Sequence, residues 1–485
     1  RPFFTTIRKS TIILIVIGII AFLLLLKGVS QSKLLIQNTS FTYDANSSAL
    51  KIKDNRTGRV YPVQLDEKII IDKSISSPEG LLITGKYPVD ISRNWYNPVQ
   101  LTVSALNEKS AVSLTLEMTN NYKMNDPVLL EVLTPEEEEQ FFVLPYAEGL
   151  LIPAVEQYPF NEFYMWGYKA TMPFVGVTDL EQGLMVISEN PWDTSVKFIL
   201  SETTSNHNMQ IKLWPSKGSF TEARKLVFAT VEDEGYVTMA KLYHQHRYSQ
   251  ESILSLSMKT KINPNTEKLI GACDFWLLED LGDKSFIDRL RAFGVRKAIF
   301  SFYKSWYVHD KDQNPDLIQY ASDRGFLTGR YDIDTDVWDP KEIPSNLTHI
   351  RTDAYPEDVV VTSGGGMQKN WVRYLNGKPI EGYTVCSTAF WRYGDPRIGN
   401  DLIRNSYNAR FFDVILSLGL LECYSSKHPT TRQEDMINRK SYLQAIRDKY
   451  GLIMGSEDIR DYAVNQLDYN EGVLTIVASP NAAYS

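Results

Sequence analysis

From about position 34 to position 230 apolar and polar residues alternate in short runs such as "ALKIKD", "VSLTLEM", "LMVISE" and "MQIKLW". Asn, Gly, Pro and Asp separate these runs. A period of two places alternate side chains on one face of a strand, and the intervening breakers supply turns, so this region reads as an all-β sandwich. No long helical pattern interrupts it. The stretch "EGYVTMAKLYHQHR" then shifts its apolar residues to the helical period and predicts a helix, linked onward through "KTKINPN".

From Lys268 short apolar runs alternate with helical stretches, the pattern of βα units and a parallel sheet. "LIGACDFW", "RKAIFSFY" and "FLTGRYDIDTDVWDP" read as the first three strands, the last with its loop, and "DKSFIDRLRAFG" and "DLIQYASDRG" as the intervening helices. "RFFDVILSLGLLECYSSKHP" supplies a fourth strand, "YGLIMGSEDIRDY" a fifth and "EGVLTIVAS" a sixth. An inserted hairpin near 362–388 turns at Asn376-Gly377, a pair suited to positive φ at both turn positions.

The N-terminus is of a third kind. Residues 10–26, "STIILIVIGIIAFLLLL", carry no charge, follow Arg1, Arg8 and Lys9, and precede no clear small-residue cleavage site. This is the pattern of an uncleaved signal anchor with the bulk of the chain outside the cytoplasm, a cleaved signal peptide being the alternative. The expected organisation is a transmembrane segment at 1–30, a β-sandwich domain at 31–255 and a (β/α) barrel domain at 256–485. Only six of eight barrel strands are counted, so the barrel is expected to be incomplete, with the chain truncated at its C-terminus.

Composition narrows the chemistry. A formal charge of -8 leaves no basic footprint for nucleic acid, while 12% aromatic residues, 27 of them Tyr, suit stacking on sugars. The three cysteines, Cys273, Cys386 and Cys423, are too widely spaced to show a disulfide framework or a zinc ligand set and read as free thiols. His244 and His246 lack the HExxH spacing and read as surface residues of a helix end. Gly364, Gly365 and Gly366 are not followed by Gly-Lys-Ser/Thr, and no EF-hand spacing occurs, so neither a metal nor a cofactor is expected.

The informative residue is Asp413 in "FFDV". Aspartate is disfavoured in strands and seldom buried without a partner, so either the strand ends there and aims the carboxylate into a cleft, or Asp413 caps a helix "VILSLGLLE". In a barrel, reactive groups gather at the carboxyl ends of the strands. Asp274, Asp334, Asp336, Asp413 and Glu457 all fall at or just after expected strand ends and would crowd one mouth with carboxylate. Asp413 and Glu457, on neighbouring strands, form a pair suited to glycoside hydrolysis, which needs no metal. Asp336 and Trp338 could hold a sugar by hydrogen bonding and stacking, although Asp334 and Asp336 equally read as helix caps.

"FFDV" followed after a helix by "GSED", behind a β-sandwich and the strand "YDIDTDVWDP", resembles the endo-α-N-acetylgalactosaminidase type of glycoside hydrolase, families 101 and 129, over about residues 140–478. The resemblance implies a galactose-mutarotase-like supersandwich before a TIM-type (β/α)8 barrel. It also implies a retaining enzyme that cleaves α-linked glycosides by double displacement, with Asp413 as nucleophile and Glu457 as acid/base, possible substrates being an α-N-acetylgalactosaminide or a related α-linked polysaccharide. Asp274, Trp276, Asp334, Asp336 and Trp338 are the expected carbohydrate contacts. Tyr424, His428 and Arg432 in "ECYSSKHPTTRQED" resemble a substrate-contacting segment, with loop packing as their other reading. The competing function is that of a membrane-anchored, non-catalytic polysaccharide-binding protein with a degenerate barrel.

Overall fold

The computed structural model describes residues 31–471, apart from 36–37, 45–46, 78–79, 107–110, 137–138, 156–161, 168, 278–282, 303–313 and 345–349. The expected anchor at 10–26 lies outside the described residues. Among those described, no helix is long and apolar enough to cross a membrane.

Residues from Gln31 to Glu232 form two antiparallel sheets, of eight and nine strands. Their alternating side chains meet in one large core containing Phe41, Leu50, Leu101, Leu114, Phe142, Val186 and Phe228. Helix α1 (Tyr236–Gln250) packs Met239 and Tyr243 on the outer side of the nine-stranded sheet. The connection beyond it is also packed. Helix α2 (Leu256–Ile262) takes up most of "KTKINPN", and Lys259, 8% exposed, donates from Nζ to the carbonyls of Val464 (2.7 Å) and Leu467.

The remaining chain builds a parallel sheet of β1 (Cys273–Leu277), β2 (Ala298–Phe302), β3 (Leu327–Ile333), β4 (Ala409–Asp413), β5 (Ile453–Glu457) and β6 (Tyr469–Glu471). The strands lie side by side in chain order. This excludes a doubly wound sheet, whose strand order reverses. Helices α3 (Lys284–Ala292), α4 (Pro315–Asp323), α5 (Phe390–Arg404) and α6 (Arg432–Tyr450) alternate with the strands. The sixth strand begins before the run "EGVLTIVAS", and residues 472–485 lie outside the described part.

The sheet is strongly curled. Laid flat, five spacings of about 4.8 Å would part β1 from β6 by roughly 24 Å. Instead the Trp276 indole of β1 donates to Glu471 Oε1 of β6 at 2.6 Å and packs edge-on against Tyr331 of β3 and Phe411 of β4. The concave face fills in layers. Ile299, Leu327, Ala409 and Ile453 lie together, and Trp276, Tyr331, Phe411 and Tyr469 form the aromatic layer above them. Gly455 admits this packing, because a Cβ there would overlap the Tyr469 ring.

The hairpin of Lys369–Leu375 and Lys378–Thr384 turns through Asn376 (φ 51°) and Gly377 (φ 79°), as the Asn-Gly pair requires. It also pairs with Asp336–Trp338, so the segment expected to be the loop of the third strand is a strand of a separate three-stranded sheet. No helix starts at Asp413. Ile415 N–H returns to Asp413 C=O at 2.7 Å around Val414 (φ 64°), a tight turn that ends the strand and overturns the helix-cap reading.

Candidate active site

Asp413, Glu457 and Glu471 are the last residues of β4, β5 and β6, so the parallel register delivers three carboxyls to one end of the sheet. Alternation along each strand places Asp413 on the face of Phe411, and Glu471 on the face of Tyr469, directly above the aromatic layer. Val414 and Asp458, the residues after Asp413 and Glu457, both have φ in the left-handed region, at 64° and 54°. That conformation is rare for a β-branched residue and is found where surrounding structure imposes it, often at functional sites.

The side chains of Asp413 and Glu457 are close neighbours at the ends of adjacent parallel strands. Burial, the Glu457 charge and that of Asp336 drive the Asp413 carboxyl up to about 7, against a hydrogen bond from the Tyr331 hydroxyl. Ser417 donates to Glu457 Oε2 at 2.8 Å and orients it. Asp336 accepts from Thr335 Oγ1 (2.8 Å) and from Asn370 Nδ2 of the hairpin (2.5 Å), and burial raises its carboxyl to about 6. On the other side, Asp274 accepts from Ser301 Oγ at 3.0 Å and hydrogen-bonds Glu471. Burial and Asp274 raise Glu471 to about 9 against the Trp276 indole.

The expected group is thus partly assembled. Asp274, Trp276, Asp336, Asp413 and Glu457 converge, and Glu471, which sequence reasoning missed, joins them. Its signal was present, since a parallel strand ending in Glu beside one ending in "GSE" repeats the logic that singles out Asp413.

Other expected carbohydrate contacts have different employment. Asp334 is 2% exposed and accepts from Tyr442 Oη at 2.5 Å and from Arg397, while Arg351 donates to its carbonyl at 2.7 Å. It is a buried hydrogen-bonding hub. Trp338, 4% exposed, forms a small core with Ile350 and Ile380 and offers no open stacking face. Arg432 Nε donates to Asp193 Oδ1 at 2.7 Å and to the Trp192 carbonyl at 3.0 Å, tying the start of α6 to the sandwich. His428 faces Cys423 Sγ (3.3 Å) and the Glu357 carbonyl (3.0 Å). Tyr424 lies at the surface with its hydroxyl on Glu422 at 2.7 Å. His246 is also displaced from its expected surface position, being 6% exposed and 2.8 Å from Glu189.

The sandwich braces this site. Arg224 Nη2 meets Asp193 Oδ2 at 2.7 Å, completing a buried Arg432–Asp193–Arg224 chain. Asp461, just beyond β5, accepts from Trp166 Nε1 at 2.8 Å and pairs with Arg247 Nε of α1 at 3.0 Å.

Residues 289–484 match the family of glycosyl hydrolases related to the GH101 family, GH129. With the fold, this makes the chain a glycosidase. Among solved structures, the Bifidobacterium bifidum α-N-acetylgalactosaminidase NagBb in complex with GalNAc superposes with a TM-score of 0.76 at 13% identity, over 93% of this chain and 81% of that one. Its ligand-free form gives a TM-score of 0.74 at 14% identity, over 93% and 82%. No curated protein matches the sequence.

Proposed function

We propose that this protein is a retaining α-glycosidase acting on α-linked N-acetylgalactosamine or a closely related α-linked sugar, with Asp413 as nucleophile and Glu457 as acid/base. The observation that carries the reading is the delivery of two neighbouring carboxyls, Asp413 and Glu457, by the last residues of adjacent parallel strands, with Asp413 raised to about 7. Retaining pairs work at about 5–5.5 Å and inverting pairs at about 6.5–9.5 Å. A pair of close neighbours needs the smaller opening to admit a glycosidic bond. The identity of the sugar rests on the likeness to NagBb.

Sugar entering between the carboxyls meets Glu457 as the acid and Asp413 as the carboxylate. Ionised Asp413, steadied by the Tyr331 hydroxyl, attacks the anomeric carbon as the glycosidic C–O bond breaks and Glu457 protonates the departing oxygen. Glu457, now a carboxylate, takes a proton from water. The water oxygen bonds to the anomeric carbon and the Asp413 ester bond breaks, restoring both groups with net retention. Curl, chain-order strands and layered filling support reading the parallel sheet as six strands of a (β/α)8-type barrel, with the β-sandwich domain before it. The charge-free run at 10–26 supports a membrane-anchored protein with these domains outside the cytoplasm.

Aryl α-N-acetylgalactosaminides test the assignment. Glu457→Gln should slow a poor leaving group by roughly 10²–10⁴-fold while an activated aryl group still forms the glycosyl-enzyme. NMR should show the α-anomer as first product. A β-anomer as first product, or equal losses on both leaving groups, would refute the roles of Asp413 and Glu457.

A further inference from the structure

Cys423 and His428 share the loop after β4, and Cys386 joins them where that loop folds against the start of α5. The two Sγ atoms and a ring nitrogen of His428 all fall within 4.8 Å of one another, and Cys423 Sγ is 3.3 Å from His428 Nδ1. The edges of a tetrahedral zinc site built from Zn–S of about 2.3 Å and Zn–N of about 2.0–2.1 Å are roughly 3.5–3.8 Å. One edge of the cluster is already that short, and the others, within 4.8 Å, need to contract by at most about 1 Å.

The surroundings orient the donors. His428 Nε2 is 3.0 Å from the Glu357 carbonyl, which only accepts, so the ring proton sits on Nε2 and the Nδ1 lone pair is turned toward the sulfurs. Each sulfur in turn receives a donor: Thr388 Oγ1 at 3.3 Å for Cys386, and Val361 N–H at 3.4 Å for Cys423. Hydrogen bonds of this kind, made to ligands from outside the coordination sphere, are the usual supports of metal-bound thiolate and imidazole. Both cysteines are buried at 1% exposure.

We propose that Cys386, Cys423 and His428 bind one thiophilic divalent cation, Zn²⁺ foremost, leaving a fourth position open to solvent. Bound there, the cation fastens the loop after β4, which follows Asp413 directly, to the segment at 357–361 and to the head of α5. It is a cross-link in the wall of the active-site mouth and takes no part in glycoside cleavage.

The full-length protein, freed of metal with a chelator under reducing conditions, is titrated with Zn²⁺ by calorimetry and with Co²⁺ by absorption spectroscopy. The expected result is one ion per chain, with sulfur-to-cobalt charge-transfer and tetrahedral ligand-field bands. A thiol reagent should meet the exposed Cys273 at the same rate in both forms, while Cys386 and Cys423, already buried, react more slowly in the zinc form than after chelation. Because Cys423→Ser could fail to fold, half-buried His428→Ala is measured alongside it, with circular dichroism as the check. Affinity should fall about 10–100-fold or more in each folded variant. Absence of stoichiometric binding, binding unchanged in His428→Ala, or recovery of Cys386 and Cys423 as a disulfide that zinc does not prevent would overturn the proposal.

Discussion

The two faces of β3 and β4 treat the same residue type in opposite ways. On the convex side Asp332 accepts from Arg410 Nε at 2.6 Å. Arg410 Nη1 reaches Asp401 Oδ2 at 2.9 Å, Arg330 pairs with Asp401 Oδ1 at 2.8 Å, and Arg397 spans Asp332 and Asp334. Burial pushes Asp401 upward, but Arg410, Arg330 and Asn405 outweigh it and hold its carboxyl below the usual range. On the concave side the charges acting on Asp413 are those of Glu457 and Asp336, both acidic, and its carboxyl rises to about 7. Matched charge makes the convex face a brace. Unmatched charge makes the concave face reactive, because a carboxyl poised near neutrality moves a proton readily.

Breaking the concave side first should give the largest effect. Asp413→Asn is expected to lower kcat by roughly 10⁴-fold or more on every substrate, since no other group in the pair can form the ester. Wild-type turnover by a well-folded Asp413→Asn protein would end the assignment. On the convex side Arg410→Met leaves buried Asp332 and Asp401 with Arg397 and Arg330 alone, and urea unfolding should show a loss of about 2–4 kcal/mol. A change below about 1 kcal/mol would show that the network braces nothing.

Tyr331→Phe removes the donor that favours ionised Asp413. A loss of about 10–100-fold is expected, with the acidic limb of the kcat/KM profile moving to higher pH. An unmoved limb would separate Tyr331 from the titration. The smallest effect is on stability. Asp413 and Glu471 have folded values raised to about 7 and about 9, so between pH 4 and those values the native state binds protons that the unfolded chain has released. Their contribution is present in acid and is lost as pH rises through that window, whereas that of Asp401 is lost as pH falls below about 4. Asp413→Asn should therefore lose about 1–2 kcal/mol less than wild type between pH 5 and pH 8 in denaturant titrations. A parallel pH dependence in the two proteins would place the titration elsewhere.

Local pattern was enough to identify the five longer parallel strands and the helices between the first three, and to mark the hairpin turn at Asn376-Gly377. It left the end of β4 at Asp413 open against a helix cap and read Asp336–Trp338 as loop and Leu256–Ile262 as linker. Period, breakers and turn chemistry act over a few residues, and the sequence displays them directly. The convergence of Asp413 with Glu457 was legible too, because parallel strands in chain order align their carboxyl ends.

What only tertiary structure decided is which carboxylates stand bare and which residues gather from a distance. Asp334 and Asp336 are two positions apart in "DIDTD", yet Arg397 and Tyr442 quench the first while the second, held by Thr335 and Asn370, adds its charge to that acting on Asp413. Glu471 enters the site because the sheet curls until β6 meets Trp276 of β1. Cys386 meets Cys423 and His428 because the loop after β4 folds back on the head of α5. In each case the outcome is set by desolvation and by partners delivered from tens to hundreds of residues away, and spacing along the chain carries no record of them.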